Sequence, residues 1–335
     1  ENRDGDMISL GRPLLADPDY VNKLRAGRVC EIRPCISCQE GCMGRIQEYS
    51  MINCAVNPQA ARERVTAYEP VVRAKKVMVI GGGVAGCEAA RVLAVRGHRP
   101  ELFEKAGHLG GNLIPGGAPE FKEDDLALAK WYEKQMELLN VPVRLNTEVT
   151  KEDVLAGGYD AVVVATGSAP KVFSLGDDGK VYTAAQVLTG EKDCGDETVV
   201  IGGGLVGCET ALWLAQHGKK VTIVEALDKL LAVNGPLCHA NKDMLERLVP
   251  YHGVKTVTSA RVTGYADGVL TAVCGDEEKR IPCDSVILAV GYREEDSLYR
   301  ELEFEVPEIY LLGDAKKVSN IMYAIWDAFE VANHI

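Results

Sequence analysis

The sequence has 335 residues, 47% of them hydrophobic and 26% charged, more than one ordinary domain requires and enough to bury two or three cores. A formal charge of −12 would repel polyanions, so neither nucleic acid nor an anionic membrane surface is expected as a partner. No apolar run approaches the roughly eighteen residues of a membrane helix, and eleven cysteines behind a start unlike a signal peptide point to a reducing compartment, with the cytoplasm as the expectation.

The chain opens on Glu1 with no methionine before it, so a piece of a longer protein is expected. The first chemical signal is CISCQEGCMGRIQEYSMINCAVNP, residues 35–58, in which Cys35, Cys38, Cys42 and Cys54 stand at intervals of two, three and eleven residues. Thiolates so spaced can converge on one centre, three from a tight loop and the fourth after a short helical excursion. Zinc, an iron–sulfur cluster and a thioredoxin-type dithiol are the chemistries open to them. The dithiol fits least, because no βαβ unit precedes it and two cysteines would go unused. Cys30 reads as packing or loop, and Cys194, Cys238, Cys274 and Cys283 are scattered without ligand spacing. His98, His217 and His252 each lie by a glycine, and no histidine forms a triad with a serine.

An internal repeat follows. Residues 81–105 (GGGVAGCEAARVLAVRGHRPELFEK) laid over 202–226 (GGGLVGCETALWLAQHGKKVTIVEA) agree at 11 of 25 positions without a gap. Each copy has an apolar strand before it (KVMVI, TVVI), a glycine turn, an amphipathic helix, a glycine stop at Gly97 or Gly218, and a second strand ending in an acid. That is a βαβ unit twice over, so the fold class is α/β with two nested Rossmann-like, three-layer dinucleotide-binding domains. After the second copy come short β-like runs (253–273 and 285–292), then EIYLLGDA and a terminal helix from about Ile321. Residues 75–190 with 290–335 are expected to form one nucleotide domain, 196–285 a smaller one inserted in it, and 29–74 a separate cysteine segment.

The glycines have distinct tasks in a dinucleotide fingerprint. Gly81 and Gly202 permit the tight turn, Gly83 and Gly204 let backbone approach a pyrophosphate, and Gly86 and Gly207 let helix pack on strand, while the helix N-terminus offers free N–H groups to the anion. Glu104 and Glu225, each 23 residues past the first glycine of its copy, are placed to accept ribose hydroxyls. Cys87 and Cys208, one residue past the third glycine, read as close packing of helix on sheet. Glu88 and Glu209 also repeat; helix-start electrostatics accounts for both, and Glu209 is a candidate to face a nicotinamide.

Downstream of the first copy, HLGGN (108–112), VVVATGSAP (162–170) and YLLGDA (310–315) resemble the flavoprotein pattern of two-dinucleotide oxidoreductases. The resemblance implies FAD at Gly81, Gly83, Gly86 and Glu104, with Gly111 and Asn112 in its loop, Gly313 and Asp314 at the ribityl chain, and Thr166 and Gly167 marking the crossing out of the FAD domain. The second copy, Gly202, Gly204, Gly207 and Glu225 with Gly291, then fits a nicotinamide dinucleotide. Glu225 would repel a 2′-phosphate and Ala226 stands where an NADPH enzyme would more often supply Arg, which favours NADH, although Lys219 and Lys220 just before the strand keep NADPH open. Beside a flavin, a 4Fe-4S cluster on Cys35, Cys38, Cys42 and Cys54 would take single electrons, whereas zinc has no redox chemistry.

Taken together, the cluster, CAVNP, the two fingerprints and LGGN resemble the C-terminal half of the NADH:flavin oxidoreductase family with iron–sulfur and FAD, the group of 2,4-dienoyl-CoA, 2-enoate and bile-acid 3-oxo-Δ4-steroid reductases and trimethylamine dehydrogenase. DMISLGRPLLADPDYVNKLRAGR, residues 6–28, resembles the end of that family's FMN-binding β/α (TIM) barrel, so residues 1–28 are expected to be a barrel tail, with Gly11 and Arg12 matching the pair that touches the FMN phosphate. The implied activity of the intact enzyme is an electron relay from NADH to FAD to the cluster to FMN and on to an activated C=C bond of an enoate, enoyl-CoA or 3-oxo-Δ4 steroid. No catalytic residue is expected in this stretch, since the substrate-binding barrel would hold them. The three-residue gap between Cys38 and Cys42 looks like the reductase branch. An amine oxidoreductase like trimethylamine dehydrogenase, which has a two-residue gap, and a redox-silent nucleotide-binding fragment are the alternatives. The expected partner is a small-molecule alkene, and a homo-oligomer is left open.

Overall fold

The computed structural model describes residues 7–176, 179–232 and 237–335. The first six residues of the expected barrel tail lie outside them. Packing divides the described residues into two units, one of 7–111, 124–167 and 296–335 and the other of those within 112–123 and 168–295.

The first unit is organised by a five-stranded parallel sheet, in the order Ile309–Leu311, Ala161–Val164, Lys76–Ile80, Arg99–Phe103, Val143–Arg144. Its central strands are uninterrupted apolar runs, KVMVI and AVVV, because both faces of a parallel sheet are covered and alternation would place polar groups in a core. The crossover helix Val84–Arg96 buries every residue from Ala85 to Leu93 and stops at Gly97, which takes the left-handed conformation (φ 96°) that favours glycine. The C-terminal helix Ile321–His334 packs along it and is started by the Asn320 side chain, which accepts the Tyr323 N–H at 3.1 Å. On one face, Met78, Ile80, Val162 and Val164 meet Val154 and Leu302 from the short helices Lys151–Ala156 and Ser297–Leu302.

Within this unit residues 7–10 form no strand, and the next residues form two short helices, Arg12–Ala16 and Tyr20–Arg25. They are stitched to the cysteine segment by Asp17, whose carboxylate accepts the Arg33 N–H (2.8 Å) and Lys23 Nζ (2.7 Å), and by Asn57, which donates to the Leu15 carbonyl (2.9 Å).

The second unit keeps the order of four of those strands but takes its edge strand from before its glycine loop, where the first takes it from the end of the chain: Val181–Thr183, Ser285–Leu288, Glu197–Ile201, Lys220–Val224, Lys255–Val257, all parallel. One face carries the helices Leu205–Gln216 and His239–Tyr251 over Val200, Ile223 and Ile287. The other carries a three-stranded antiparallel sheet, Arg261–Ala266, Val269–Cys274 and Glu277–Pro282, which lays Tyr265, Leu270 and Ala272 against Val199, Val224 and Val286. Its first hairpin closes on Asp267-Gly268, both at positive φ, as a two-residue turn between right-twisted strands requires. The three layers are thus sheet, sheet and helices. Strand Val181–Thr183 pairs with Ser285–Leu288, so residues 168–190, grouped by sequence with the first nucleotide domain, pack with the second. Among the described residues no helix is long and apolar enough to cross a membrane.

Candidate functional site

Both glycine fingerprints are built the same way, each inside its own unit. Gly81 and Gly202 have φ near 106°. A Cβ at either would run into the carbonyl of Ala165 or Ala289, the residue that leaves the neighbouring strand. A Cβ at Gly86 or Gly207 would overlap the carbonyl of Gly81 or Gly202, five residues back at the start of the loop. The glycine loop is therefore pressed between a strand end and the first turn of a helix, the place where a helix N-terminus can take a pyrophosphate.

The acids at the strand ends also hold the loop. Glu104 accepts the Gly82 N–H at 2.6 Å through one oxygen and the Ala106 N–H at 2.7 Å through the other; Glu225 does the same with Gly203 (2.5 Å) and Leu227 (2.7 Å). A carboxylate has about four acceptor sites, so each retains capacity for ribose hydroxyls. The middle glycine, which sequence reasoning passed over, supplies that N–H and lies against Leu109 or Leu230. Cys87 and Cys208 do more than pack: each thiol donates to the carbonyl of the same middle glycine, at 3.2 and 3.4 Å. Burial, reinforced by Glu209 and Glu225, pushes the Cys208 thiol up to about 12, and burial raises Cys87 as well, so both stay protonated donors.

Around the first fingerprint the predicted loops converge. Gly110 N–H donates to the Gly82 carbonyl at 2.9 Å, and a Cβ on Gly111 would come 3.0 Å from Cα of Gly83. Gly313, at φ 59°, lies against Ala85 at the start of the helix, and its N–H is held by Asp327 (3.0 Å). Asp314 accepts the Ser319 N–H at 3.0 Å. Thr166 and Gly167 follow Ala165 directly, with Gly167 at φ 75°. Asn112 reaches Ser168 (3.5 Å) inside the second unit. There, Gly291 follows Ala289 at φ 94°, and its carbonyl accepts the Lys171 N–H at 2.9 Å. Glu209 is ion-paired with Lys122 at 3.3 Å. Glu88 is instead fully buried, bound to Arg91 at 2.7 and 2.9 Å and accepting the Tyr132 hydroxyl at 3.2 Å. Lys219 and Lys220 are engaged by Asp196 (3.1 Å) and Glu197 (2.8 Å) at the start of a strand whose far end carries Glu225. At about 3.3 Å per residue, that is the wrong end of the sheet for a 2′-phosphate.

The four cysteines Cys35, Cys38, Cys42 and Cys54 line one cleft, together with Arg12, Leu15, Ile36, Gln39, Gly41, Ala55 and Val56; it encloses about 290 Å3 of empty space, part of it open to solvent. None of the four is in a disulfide. The loop turns sharply because Ser37 and Gln39, on either side of Cys38, adopt positive φ (53° and 59°), a conformation non-glycine residues hold only where surroundings enforce it. Cys42, expected on the loop, sits instead in a turn of π-helix, Glu40–Gly44, and the helical excursion expected after it is the short helix Arg45–Gln47. Gly41 is the residue sequence reading missed here: a Cβ on it would press on Asn53, the Cys54 carbonyl carbon (3.0 Å) and Ala55 N (3.0 Å), forcing the two cysteine-bearing walls apart. Trp326 fixes the second wall by donating to the Cys54 carbonyl at 3.0 Å. Burial pushes the Cys38 thiol up to about 12 against a hydrogen bond from Glu40, and raises Cys54 against hydrogen bonds from Val56 and Asn57 and the charge of Arg33. Such thiols ionise only when a cation takes the proton's place. Arg12, matched by resemblance to a phosphate ligand, stands on the wall of this cleft.

Residues 75–328 match the family model described as pyridine nucleotide-disulphide oxidoreductase. The chain belongs to that family. It is therefore an oxidoreductase chain that binds FAD and a nicotinamide dinucleotide. It is 50% identical to cinnamate reductase of Clostridium sporogenes, over 98% of this chain and 50% of that protein, and 38% identical to NADH oxidase of Thermoanaerobacter brockii, over 98% and 51%. Among solved structures it is similar to a 2-naphthoyl-CoA reductase complex, with a TM-score of 0.91 and 29% identity over 97% of this chain and 50% of that one. The membership expected from the motifs, in the NADH:flavin oxidoreductase group, is borne out by these matches. The chain spans about half the length of the curated relatives it matches.

Proposed function

We propose that this chain is the electron-input portion of an NADH-dependent ene-reductase. When bound, FAD, a 4Fe-4S cluster and an FMN would pass reducing equivalents from NADH toward an activated C=C bond of an enoate, enoyl-CoA or 3-oxo-Δ4 steroid. The reductase names of its relatives support that direction of flow. The observation that carries the reading is the convergence of four thiols on one cleft, in the same packed unit as the first fingerprint.

The residues fit these groups. The first glycine loop, crowded by Gly111 and Gly313, is the FAD cradle, with Glu104 at the ribose, Gly83 clearing space for the pyrophosphate, and Gly81 and Gly86 allowing the tight turn and close helix packing that form the loop. The second, with Glu225, holds the nicotinamide dinucleotide, and the committed Lys219 and Lys220 support NADH over NADPH. For the cysteines, the donor set fits iron–sulfur better than zinc. Four thiol donors beside a flavin suit a centre that takes single electrons, which an iron–sulfur cluster does and zinc does not. Ile36, Ala55 and Val56 would shield a cluster from water. Gly11 and Arg12 remain candidates for the FMN phosphate of the intact enzyme.

Iron and sulfide analysis after anaerobic purification tests the cluster. Comparable iron and acid-labile sulfide, lost together in Cys42→Ser, is the expected outcome. About one zinc per chain with no labile sulfide would defeat the reading.

A further inference from the structure

Arg33 is a buried cation held without a direct carboxylate contact among the described residues. Its side chain lies under the cysteine loop at 8% exposure. One guanidinium nitrogen donates to the Val56 carbonyl at 2.6 Å, and the guanidinium carbon lies 4.7 Å from the centre of the Trp131 ring. It forms no ion pair among the described residues. The buried acids near it are already matched: Asp17 takes Lys23 at 2.7 Å, and Glu88 takes Arg91 at 2.7 Å. Arg91 lies 5.9 Å from the centre of the same Trp131 ring. Among these five charges the cations outnumber the carboxylates by one, and Arg33 reaches Glu88 only through its charge and not through an ion pair.

An isolated buried charge is strongly unfavourable unless a counter-charge or metal site compensates it. The position of Arg33 says where that counter-charge belongs. Its main chain enters Cys35 two residues later, and its side chain grips Val56, two residues after Cys54. It therefore bridges the neck of the loop, and the groups it brackets are the thiols, which carry net negative charge once they ligate metal as thiolates.

We propose that Arg33 is a positioning residue for the four-cysteine centre, acting as its fixed counter-charge as well as the clamp on the loop's neck. This rests on the cluster reading above. A positive charge held there favours the more negative, reduced form of the centre over the oxidised form, since reduction adds one electron, drawn from NADH through the flavin, and no compensating proton is required.

Two substitutions in the full-length holoenzyme separate charge from clamp. Arg33→Gln keeps a donor for the Val56 carbonyl and removes the charge; Arg33→Lys keeps the charge and loses the planar fork. Iron, labile sulfide and FAD would be counted, and the midpoint potential of the EPR-active centre measured by dye-mediated titration. The expected result is a more negative midpoint in Arg33→Gln and a midpoint near the parent's in Arg33→Lys. Cluster loss in Arg33→Gln alone, with FAD retained, also supports the counter-charge. An unchanged midpoint in Arg33→Gln, or an equal shift or loss in both variants with FAD retained, overturns it. If Arg33→Gln does not fold, the Arg33→Lys midpoint decides, a parent-like value supporting the proposal and a large shift overturning it. A parent protein without iron and sulfide would instead fail the cluster reading itself.

Discussion

The two fingerprint repeats share their phosphate-facing geometry and differ in almost everything behind it. In both, a glycine loop is squeezed between a strand end and a helix, a Glu spans two loop N–H groups, and a thiol donates to the middle glycine's carbonyl. Behind the first loop the helix buries the Glu88–Arg91 pair against Tyr132 and Tyr68, whereas at the matching positions the second has Glu209, paired with half-exposed Lys122, and Leu212 in an apolar core. The sheets differ too, one backed by short helices and the other by a three-stranded sheet. Binding a pyrophosphate constrains a handful of atoms, so that part persists through duplication; which dinucleotide is bound depends on the surroundings, and those diverged.

The sharpest way to break the comparison is to put the same methyl group into both loops. Gly86→Ala and Gly207→Ala each place a Cβ against a backbone carbonyl that cannot retreat. Overpacking costs about 1–3 kcal/mol, and about 1.4 kcal/mol is tenfold in affinity, so each variant should lose its nucleotide by roughly tenfold or more. Flavin content of the purified proteins should fall only in Gly86→Ala, while Gly207→Ala should keep its flavin and require far more NADH to reduce it. The reverse pattern would exchange the two assignments.

Next in size is the contrast behind the loops. Glu88→Gln leaves Arg91 buried and unmatched, at a cost of about 3–5 kcal/mol, whereas Glu209→Gln removes a partly exposed ion pair worth under about 1 kcal/mol; urea denaturation would measure both. Burial alone would raise the Glu88 carboxyl, but the Arg91 charge and hydrogen bonds outweigh it and hold it below the usual range. The stability it contributes is then fully present above the ordinary glutamate pKa and is lost as pH falls through the lower native value. The parent and Glu88→Gln curves should accordingly converge in acid. A smaller effect is expected at the ribose. Glu225→Gln with Ala226→Arg retains an acceptor for the Gly203 N–H and adds a cation, and should move the ratio of kcat/KM for NADPH over NADH upward by about tenfold, near 1.4 kcal/mol.

What was legible in the sequence is what a local backbone demand imposes on residue type. The fingerprint glycines and the strand-end acids answer to geometry within one βαβ unit, and a pattern of types suffices to read them. The four cysteines were legible for the same reason. Gly41 was not, because its need for a bare Cα arises from the wall at residues 53–55, reached only by folding. Arg33 was silent because its meaning depends on Trp131, remote in the chain, and on which acids are already matched. The three-residue strand Val181–Thr183 has too few positions to show a period, and its sheet became known only from its pairing. Arg12 was sent to a phosphate by resemblance, while its position on the wall of the cysteine cleft is a matter of packing.

The claim on which the rest depends is that electrons entering at the second glycine loop reach the cysteine-bound centre through flavin at the first. Anaerobic titration of the holoprotein with NADH, followed by absorbance and low-temperature EPR, tests it most directly. The account predicts flavin bleaching accompanied by the signal of a reduced iron–sulfur centre. A flavin that stays oxidised under NADH, or one that bleaches while no such signal appears, would contradict it.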